Sequence, residues 1–303
     1  MKQLAIGVAV LLIILSGCVS EPPRLKNAVE DTGFPVTLAD NHGRNITIEK
    51  VPERIVSLAP SNTEILFALG LGEKVVGVTE YDDYPEEAKL KEKVGGFQTV
   101  DIEKVASLNP ELVLATGGVQ LEVVEKLREI GLTVVVIDAK SISEIQENIL
   151  LIGRIAGSKR EAESLVDSMW QRIEAVKDKS SSNLRRPRVM YIVWGEPLMA
   201  AGPGAFASNL IELAGGENVF SDSGIDYPKV SMESVIERDP EVIITNTNTG
   251  MELEGLKDAA EWKGISAVKN RRFHVINGDI VSRPGPRIVE ALELFSTWIA
   301  EEP

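Results

Sequence analysis

Two glutamates occupy matching places in two similar stretches of this chain. Val100-Asp-Ile-Glu103-Lys-Val105 runs on through Asn109-Pro110-Glu111-Leu112-Val113-Leu114, and Val230-Ser-Met-Glu233-Ser-Val235 runs on through Asp239-Pro240-Glu241-Val242-Ile243-Ile244. In each copy a polar residue opens a short apolar-periodic helix, a Pro-Glu turn stops it, and a β-branched run follows, which is the pattern of an αβ unit. A carboxylate in the first turn of a helix meets the positive end of the helix dipole, worth about 0.3–1 kcal/mol. An exposed carboxylate can also pair with an arginine of another protein, giving orientation and specificity. Residue type alone leaves both roles open. The twinning itself implies two similar lobes, and a second echo supports it: Ala68-Leu-Gly70-Leu-Gly72-Glu73-Lys-Val75 resembles Leu213-Ala-Gly215-Gly216-Glu217-Asn-Val219.

A second group of residues suits binding. Tyr81, Phe97, Trp194 and Tyr227 fall in expected loops or at strand ends, outside any apolar stripe. In open αβ sheets ligands lie beyond the carboxyl ends of the strands. Aromatic faces there suit a large planar or partly apolar ligand, with polar tips fixing its orientation. Tyr84, beside Pro85, reads as loop packing. Asp279 and Arg283 lie in Asn277-Gly-Asp-Ile-Val-Ser-Arg-Pro284-Gly-Pro286, after the last expected strand, where they suit either a local ion pair or a ligand contact.

Catalytic patterns are missing from the sequence. It has no Gly-x-Ser-x-Gly, no His-Glu-x-x-His and no phosphate loop. Its two histidines, His42 and His274, are far apart, and with a single cysteine they make a poor transition-metal site. No acid–base pair stands out, so neither an enzyme nor a bound cofactor or metal is expected. The net charge of −14, from 32 basic and 46 acidic residues with no long basic run, argues against nucleic acid as a partner.

The elements that must hold these residues alternate. Around Asn41-His42-Gly43 a hairpin is expected. Strands follow at Ile55–Leu58, Val75–Val78, Leu112–Ala115 and Thr133–Ile137, with helices between them, notably Leu121–Ile130. Ser61-Asn-Thr-Glu64 fits a capping box opening the helix that Gly70 closes. Ser141–Ala156 reads as one helix and Lys159–Lys179 as another. In the latter, Ala162, Leu165, Val166, Met169, Trp170, Ile173 and Val176 form one apolar stripe. The αβ pattern then restarts with strands at Val189–Trp194, Val242–Thr245 and Phe273–Ile276 and a final helix at Arg287–Ala300. Such alternation predicts an α/β fold with mainly parallel sheets.

The N-terminus adds an address. Met1-Lys2 precedes an unbroken run of apolar residues and glycine from Leu4 to Leu15, too short for a ~30 Å hydrocarbon core and typical of a signal peptide. Leu15-Ser16-Gly17-Cys18 resembles the lipobox of prokaryotic lipoproteins, whose cysteine becomes the lipidated first residue. Cys18 is the only cysteine in the chain. The polar stretch after it reads as a tether, and no later segment is apolar enough to span a membrane.

From Phe34 onward the chain resembles the cobalamin, siderophore and haem binding proteins of ABC importers. The resemblance rests on Phe34-Pro-Val-Thr through Asn41-His-Gly-Arg and on Pro52-Glu-Arg-Ile-Val-Ser-Leu-Ala-Pro-Ser61-Asn-Thr-Glu64. It implies two αβ lobes with mainly parallel central sheets, joined by a single long helix, with the ligand in a cleft between them. On that basis residues 1–17 are signal, 18–33 tether, 34–158 the first lobe, 159–179 the connecting helix and 188–303 the second lobe. Tyr81-Asp82-Asp83-Tyr84-Pro85, Phe97, Asp101-Ile-Glu103 and Asp226-Tyr227-Pro228-Lys-Val-Ser-Met-Glu233 are most similar to the cobalamin-binding branch. Phe97 and Tyr227 stand where that branch has tryptophans, and Thr116 replaces a third.

The resemblance implies ligand contact from Tyr81, Phe97, Trp194, Tyr227, Asp279 and Arg283, and docking of Glu103 and Glu233 onto arginines of an ABC permease dimer that works with ATPase subunits. The implied ligand is cobalamin or another corrinoid, with a ferric siderophore or haem as alternatives. Siderophore binders often carry several cleft arginines, and only Arg283 stands out in a cleft loop here. A lipoprotein enzyme or sensor on the same scaffold is the alternative of another class; it would need an acid–base pair or a signalling domain.

Overall fold

The computed structural model describes residues 33–181, 185–249 and 260–301. The signal and lipidation reading of residues 1–32, Cys18 included, lies outside them. Strands β1 (Val36–Ala39) and β2 (Asn45–Ile48) form the expected antiparallel hairpin, with Val36 opposite Ile48. The Asp40 carboxylate stiffens its turn by accepting from the backbone N–H groups of His42 and Arg44.

The first lobe is built on β3 (Ile55–Ser57), β4 (Val75–Val78), β5 (Glu92–Lys93), β6 (Leu112–Ala115) and β7 (Val134–Val136), in the order β5-β4-β3-β6-β7. Every pairing in that sheet is parallel. The strands β3, β6 and β7 are buried at every position, as parallel strands covered on both faces must be. Helices α1 (Pro60–Ala68), α2 (Ile102–Ser107), α3 (Leu121–Glu129) and α4 (Ile142–Ala156) cover it. Ser141 caps α4 by accepting from the Glu144 N–H, and Gly157 ends it at φ 80°.

Helix α5 (Lys159–Ser181) is the connecting element. Its stripe of Ala162, Val166, Met169, Ile173 and Val176 is buried, with Leu165 and Trp170 half-buried beside it. The second lobe holds β8 (Arg188–Trp194), β9 (Met199–Ala200), β10 (Glu217–Asn218), β11 (Val242–Asn246) and β12 (Phe273–Ile276). Its order is β10-β8-β11-β12, all parallel, with β9 added antiparallel to β8. Helices α6 (Phe206–Leu213), α7 (Met232–Arg238), α8 (Ser266–Lys269), α9 (Gly278–Ser282) and α10 (Ile288–Ala300) complete it. The short strands β5, β9 and β10 and the helix α9 were not legible beforehand, because pieces of two to five residues are too short to show a period.

One apolar core runs through both lobes. Ile55 and Leu112 of the first sheet, the stripe of α5, and Val189, Ile244 and Phe295 of the second lobe belong to a single buried cluster. Helix α10 packs along α5, where Arg172 grips Glu293 through both nitrogens of its fork at 2.8 and 2.7 Å. The outer faces of the sheets have their own clusters.

The expected capping box at Ser61-Asn-Thr-Glu64 is corrected. Helix α1 begins at Pro60, Ala59 is its N-cap, and no side chain caps it. Proline has a fixed φ and no N–H to satisfy, so it suits the first helical position and starts the helix early. Glu64 thereby falls in the second turn and serves a different partner, described below.

Candidate functional site

The carboxyl ends of the two sheets carry the residues of interest. On the second lobe the ends of β8 and β11 and the start of α9 surround a cavity of about 270 Å³. Its lining includes Tyr191, Trp194, Phe206, Tyr227, Asn246, Asn248 and Ser282. Trp194 donates its indole N–H to the Glu196 carbonyl at 2.9 Å, which holds the ring at the rim with 46% of its surface exposed. Tyr227, half-exposed, faces the same space.

Each wall of this cavity has a structural cause. Tyr191 is a buried strand residue whose ring lies 5.9 Å from Phe295. Burial pushes its phenol far above the usual range, against a hydrogen bond from Asn246 that lowers it, so the hydroxyl stays protonated and neutral. Burial and the nearby Asp226 also push the Tyr227 phenol up. Asn246 donates to the Ile192 carbonyl at 3.2 Å and accepts from the Asn248 N–H at 2.9 Å, joining β8 to β11. Gly278 permits the close approach of α9: a Cβ there would lie 2.5 Å from the Asn248 amide nitrogen and 2.9 Å from the Asn246 oxygen.

On the first lobe the loop after β4 carries Tyr81, 60% exposed, and Asp83. Between them Asp82 is buried and anchors the loop, accepting from the Thr79 N–H at 2.9 Å and from the Thr79 hydroxyl. Burial pushes its carboxyl up, opposed by the bonds to Thr63 and Thr79. Phe97 is half-buried, and its carbonyl accepts from Gln120 at 2.8 Å. Gln120, fully buried, also donates to the Leu58 carbonyl and accepts from the Thr116 N–H, so one amide ties together the segments that follow β3, β5 and β6.

Among the six residues expected to touch ligand, Trp194 and Tyr227 line the cavity, and Asp279 stands beside it, 3.5 Å from the Asn248 amide. Tyr81 and Phe97 belong to the first lobe. Arg283 reaches across to that lobe, bonding Asp83 at 2.6 Å while pairing with Asp279 at 3.0 Å on its own side. Tyr191, Phe206 and Asn246 were missed. Tyr191 and Phe206 look like core in sequence; Asn246, a polar residue ending a buried strand, carried the usable signal.

Glu103 and Glu233 are both exposed, in the first turns of α2 and α7. Asp101 and Ser231 are the N-caps. The helix-start N–H and Ser231 hold the Glu233 carboxyl below its usual value. Among the described residues neither glutamate has an ion-pair partner. A second depression of about 510 Å³ lies between the start of α5 and the end of α1, against Ala68, Arg160, Glu161 and Ser164. It gathers no aromatic groups. The described residues contain no cluster of three or more potential metal ligands and no helix long and apolar enough to cross a membrane.

Comparison with known proteins agrees with this architecture. A family model described as periplasmic binding protein matches residues 55–279. An uncharacterized ABC transporter substrate-binding lipoprotein of Bacillus subtilis, YvrC, is 36% identical over 96% of this chain and 95% of its own. The crystal structure of the periplasmic vitamin B12 binding protein BtuF of Vibrio cholerae superposes with a TM-score of 0.71 at 34% identity, over 82% of this chain and 97% of the other. A possible iron-binding, periplasmic solute-binding protein of Staphylococcus epidermidis superposes with a TM-score of 0.73 at 33% identity, over 83% of this chain and 100% of the other.

Proposed function

We propose, from the premise that this chain belongs to the periplasmic binding protein family, that its cleft takes a corrinoid, most simply cobalamin, for delivery to an ABC permease. Membership makes the chain an extracytoplasmic solute-binding protein of an ABC transporter; the ligand is the further step. One observation carries it: the cavity is lined by aromatic rings, small and aliphatic residues and two side-chain amides, with no charged group among them. A corrin is a broad, largely apolar ring edged by amides. Aromatic faces can cover the ring, and Asn246 and Asn248 can exchange hydrogen bonds with its amides. The two arginines nearest the cleft, Arg283 and Arg287, are occupied by carboxylates, which disfavours an anionic ligand. At about 270 Å³ the cavity lies just below the ~300–1,000 Å³ usual for ligand sites, so a corrinoid would also cover Tyr81 and Phe97 on the opposite rim.

The remaining assignments follow from this reading. Exposed Glu103 and Glu233, one per lobe, would meet arginines on the two permease subunits, whose ATPase partners drive release. Cys18 would carry the lipid that holds the protein at the outer face of the cell membrane. The role is carriage rather than catalysis, since the cavity offers tyrosines, tryptophan and amides but no acid–base pair.

The test is a titration of the purified protein with cyanocobalamin, a ferric siderophore and haem, followed by tryptophan fluorescence. Trp194 at the cavity rim should report corrinoid binding, and Trp194→Phe should remove most of the signal. A response to the siderophore or haem with none to the corrinoid at micromolar concentration would replace this reading with that of an iron-compound receptor.

A further inference from the structure

The Pro284-Gly285-Pro286 turn has no part in the proposed ligand site, yet the arginines flanking it bridge the two lobes. Arg287, at the start of α10, donates to Glu64 of α1 from Nε at 2.9 Å and from Nη2 at 2.5 Å. Its guanidinium lies 3.9 Å from the centroid of the Tyr84 ring, also on the first lobe. Arg283 donates from Nη1 to Asp83 at 2.6 Å and to Glu64 at 3.4 Å. From Nη2 it pairs with Asp279 at 3.0 Å and reaches the Tyr81 carbonyl at 3.4 Å. The turn wraps the carboxylate closely: a Cβ at Gly285 would sit 3.5 Å from Glu64 Oε2.

We propose that Glu64, Arg287 and Arg283 form an inter-lobe clasp that fixes the separation of the lobes before any ligand arrives, and that the Asp83–Arg283 bond is its releasable arm. The two parts differ in what breaking them leaves behind. The Glu64 side chain is 2% exposed and both arginines 13%, so losing their contact while the lobes stay packed would strand a charge in a low-dielectric interior. Asp83 is half-exposed and can take water, while Arg283 keeps Asp279 on its own lobe. Losing that arm therefore leaves no bare buried charge. The lobes are thus held by a buried ion network at the cleft as well as by α5, and ligand entry would displace the outer arm rather than swing open the whole cleft. By fixing the lobe separation, the clasp also sets the spacing of Glu103 and Glu233.

The test needs no ligand, so it stands or falls separately from the corrinoid reading. In a Cys18→Ser background, spin labels go on Leu90→Cys and Ile225→Cys, exposed positions on opposite lobes, and double electron–electron resonance reads the distance between them. The parent should give one narrow distribution. Glu64→Gln should add a second, longer population, and Arg287→Lys, which keeps the charge but loses the fork, should broaden the distribution. Asp83→Asn should leave the ligand-free distribution unchanged. A parent-like narrow distribution in folded Glu64→Gln would overturn the clasp; should that variant fail to fold, the same result in Arg287→Lys would do so. Opening by Asp83→Asn would overturn the division between strut and arm.

Discussion

Cutting the bond between Glu64 and Arg287 should destabilise the whole molecule, and a double-mutant cycle measures by how much. Arg287→Met leaves the nearly inaccessible Glu64 carboxylate with only the 3.4 Å contact to Arg283. Breaking a buried ion pair by removing one partner costs roughly 3–5 kcal/mol. The surviving arginine places the expected loss at the lower end, about 3 kcal/mol. Glu64→Gln should cost less, about 2 kcal/mol, because Arg287 keeps its place over Tyr84 and Arg283 keeps Asp83 and Asp279. In the double variant neither charge is stranded by the other's removal, so its loss should fall well short of the summed singles, with a coupling energy of about 2 kcal/mol. Urea unfolding followed by circular dichroism supplies the four stabilities, with equal denaturant slopes as the check that the unfolding reaction is unchanged. The exposed pair Lys126–Glu122 on α3 serves as a control and should show far weaker coupling. A Glu64–Arg287 coupling below about 0.5 kcal/mol would mean that the bidentate, buried geometry contributes no more than a surface pair, refuting the reasoning.

Two further outcomes follow from the site. Glu103→Arg combined with Glu233→Arg should abolish uptake in cells while the purified variant binds ligand as the parent does; normal uptake would remove the docking role. Asp83 bears on acid stability: burial alone would raise its pKa, but the hydrogen bond and charge of Arg283 outweigh that and hold it below the usual carboxylate value. A carboxyl lowered by folding stabilises the protein above its unfolded pKa, about 4, and loses that contribution as the pH falls through the lower folded value. Melting temperature measured from pH 6 down to pH 2 should therefore fall less steeply in Asp83→Asn than in the parent below about pH 4. Identical slopes would show that the Asp83–Arg283 bond adds nothing to stability.

Much of the scaffold was legible because its signals are local. Buried parallel strands such as Leu112–Ala115 are continuous apolar runs, and α5 announces itself through the spacing of Ala162, Val166, Met169 and Ile173. Trp194 and Tyr227 could be singled out because they lie outside any apolar stripe, one at a strand end and one in a loop, and both line the cavity. Tyr191 failed the same reasoning: it sits inside a strand, and only the placement of α10, with Phe295 behind it, shows that it backs the cavity. Glu64 is the clearest misreading. Its spacing from Ser61 satisfied a local rule, yet Pro60 moved the helix start and the carboxylate found its partners on the other lobe.

By itself, then, the sequence determined the alternation of strands and helices, the twinned αβ units, the apolar stripe of the long helix α5 and the aromatics that lie outside any stripe. Each is encoded within a few neighbouring residues by periodicity, by a turn or by a repeat. Tertiary structure alone decided which charges meet. Glu64 and Arg287 stand 223 residues apart. No short-range pattern links them, and a charged residue in isolation cannot show whether it will face water, a ligand or a buried counter-charge. That choice is made when the shared core along α5 brings the two lobes together and closes the space around Glu64.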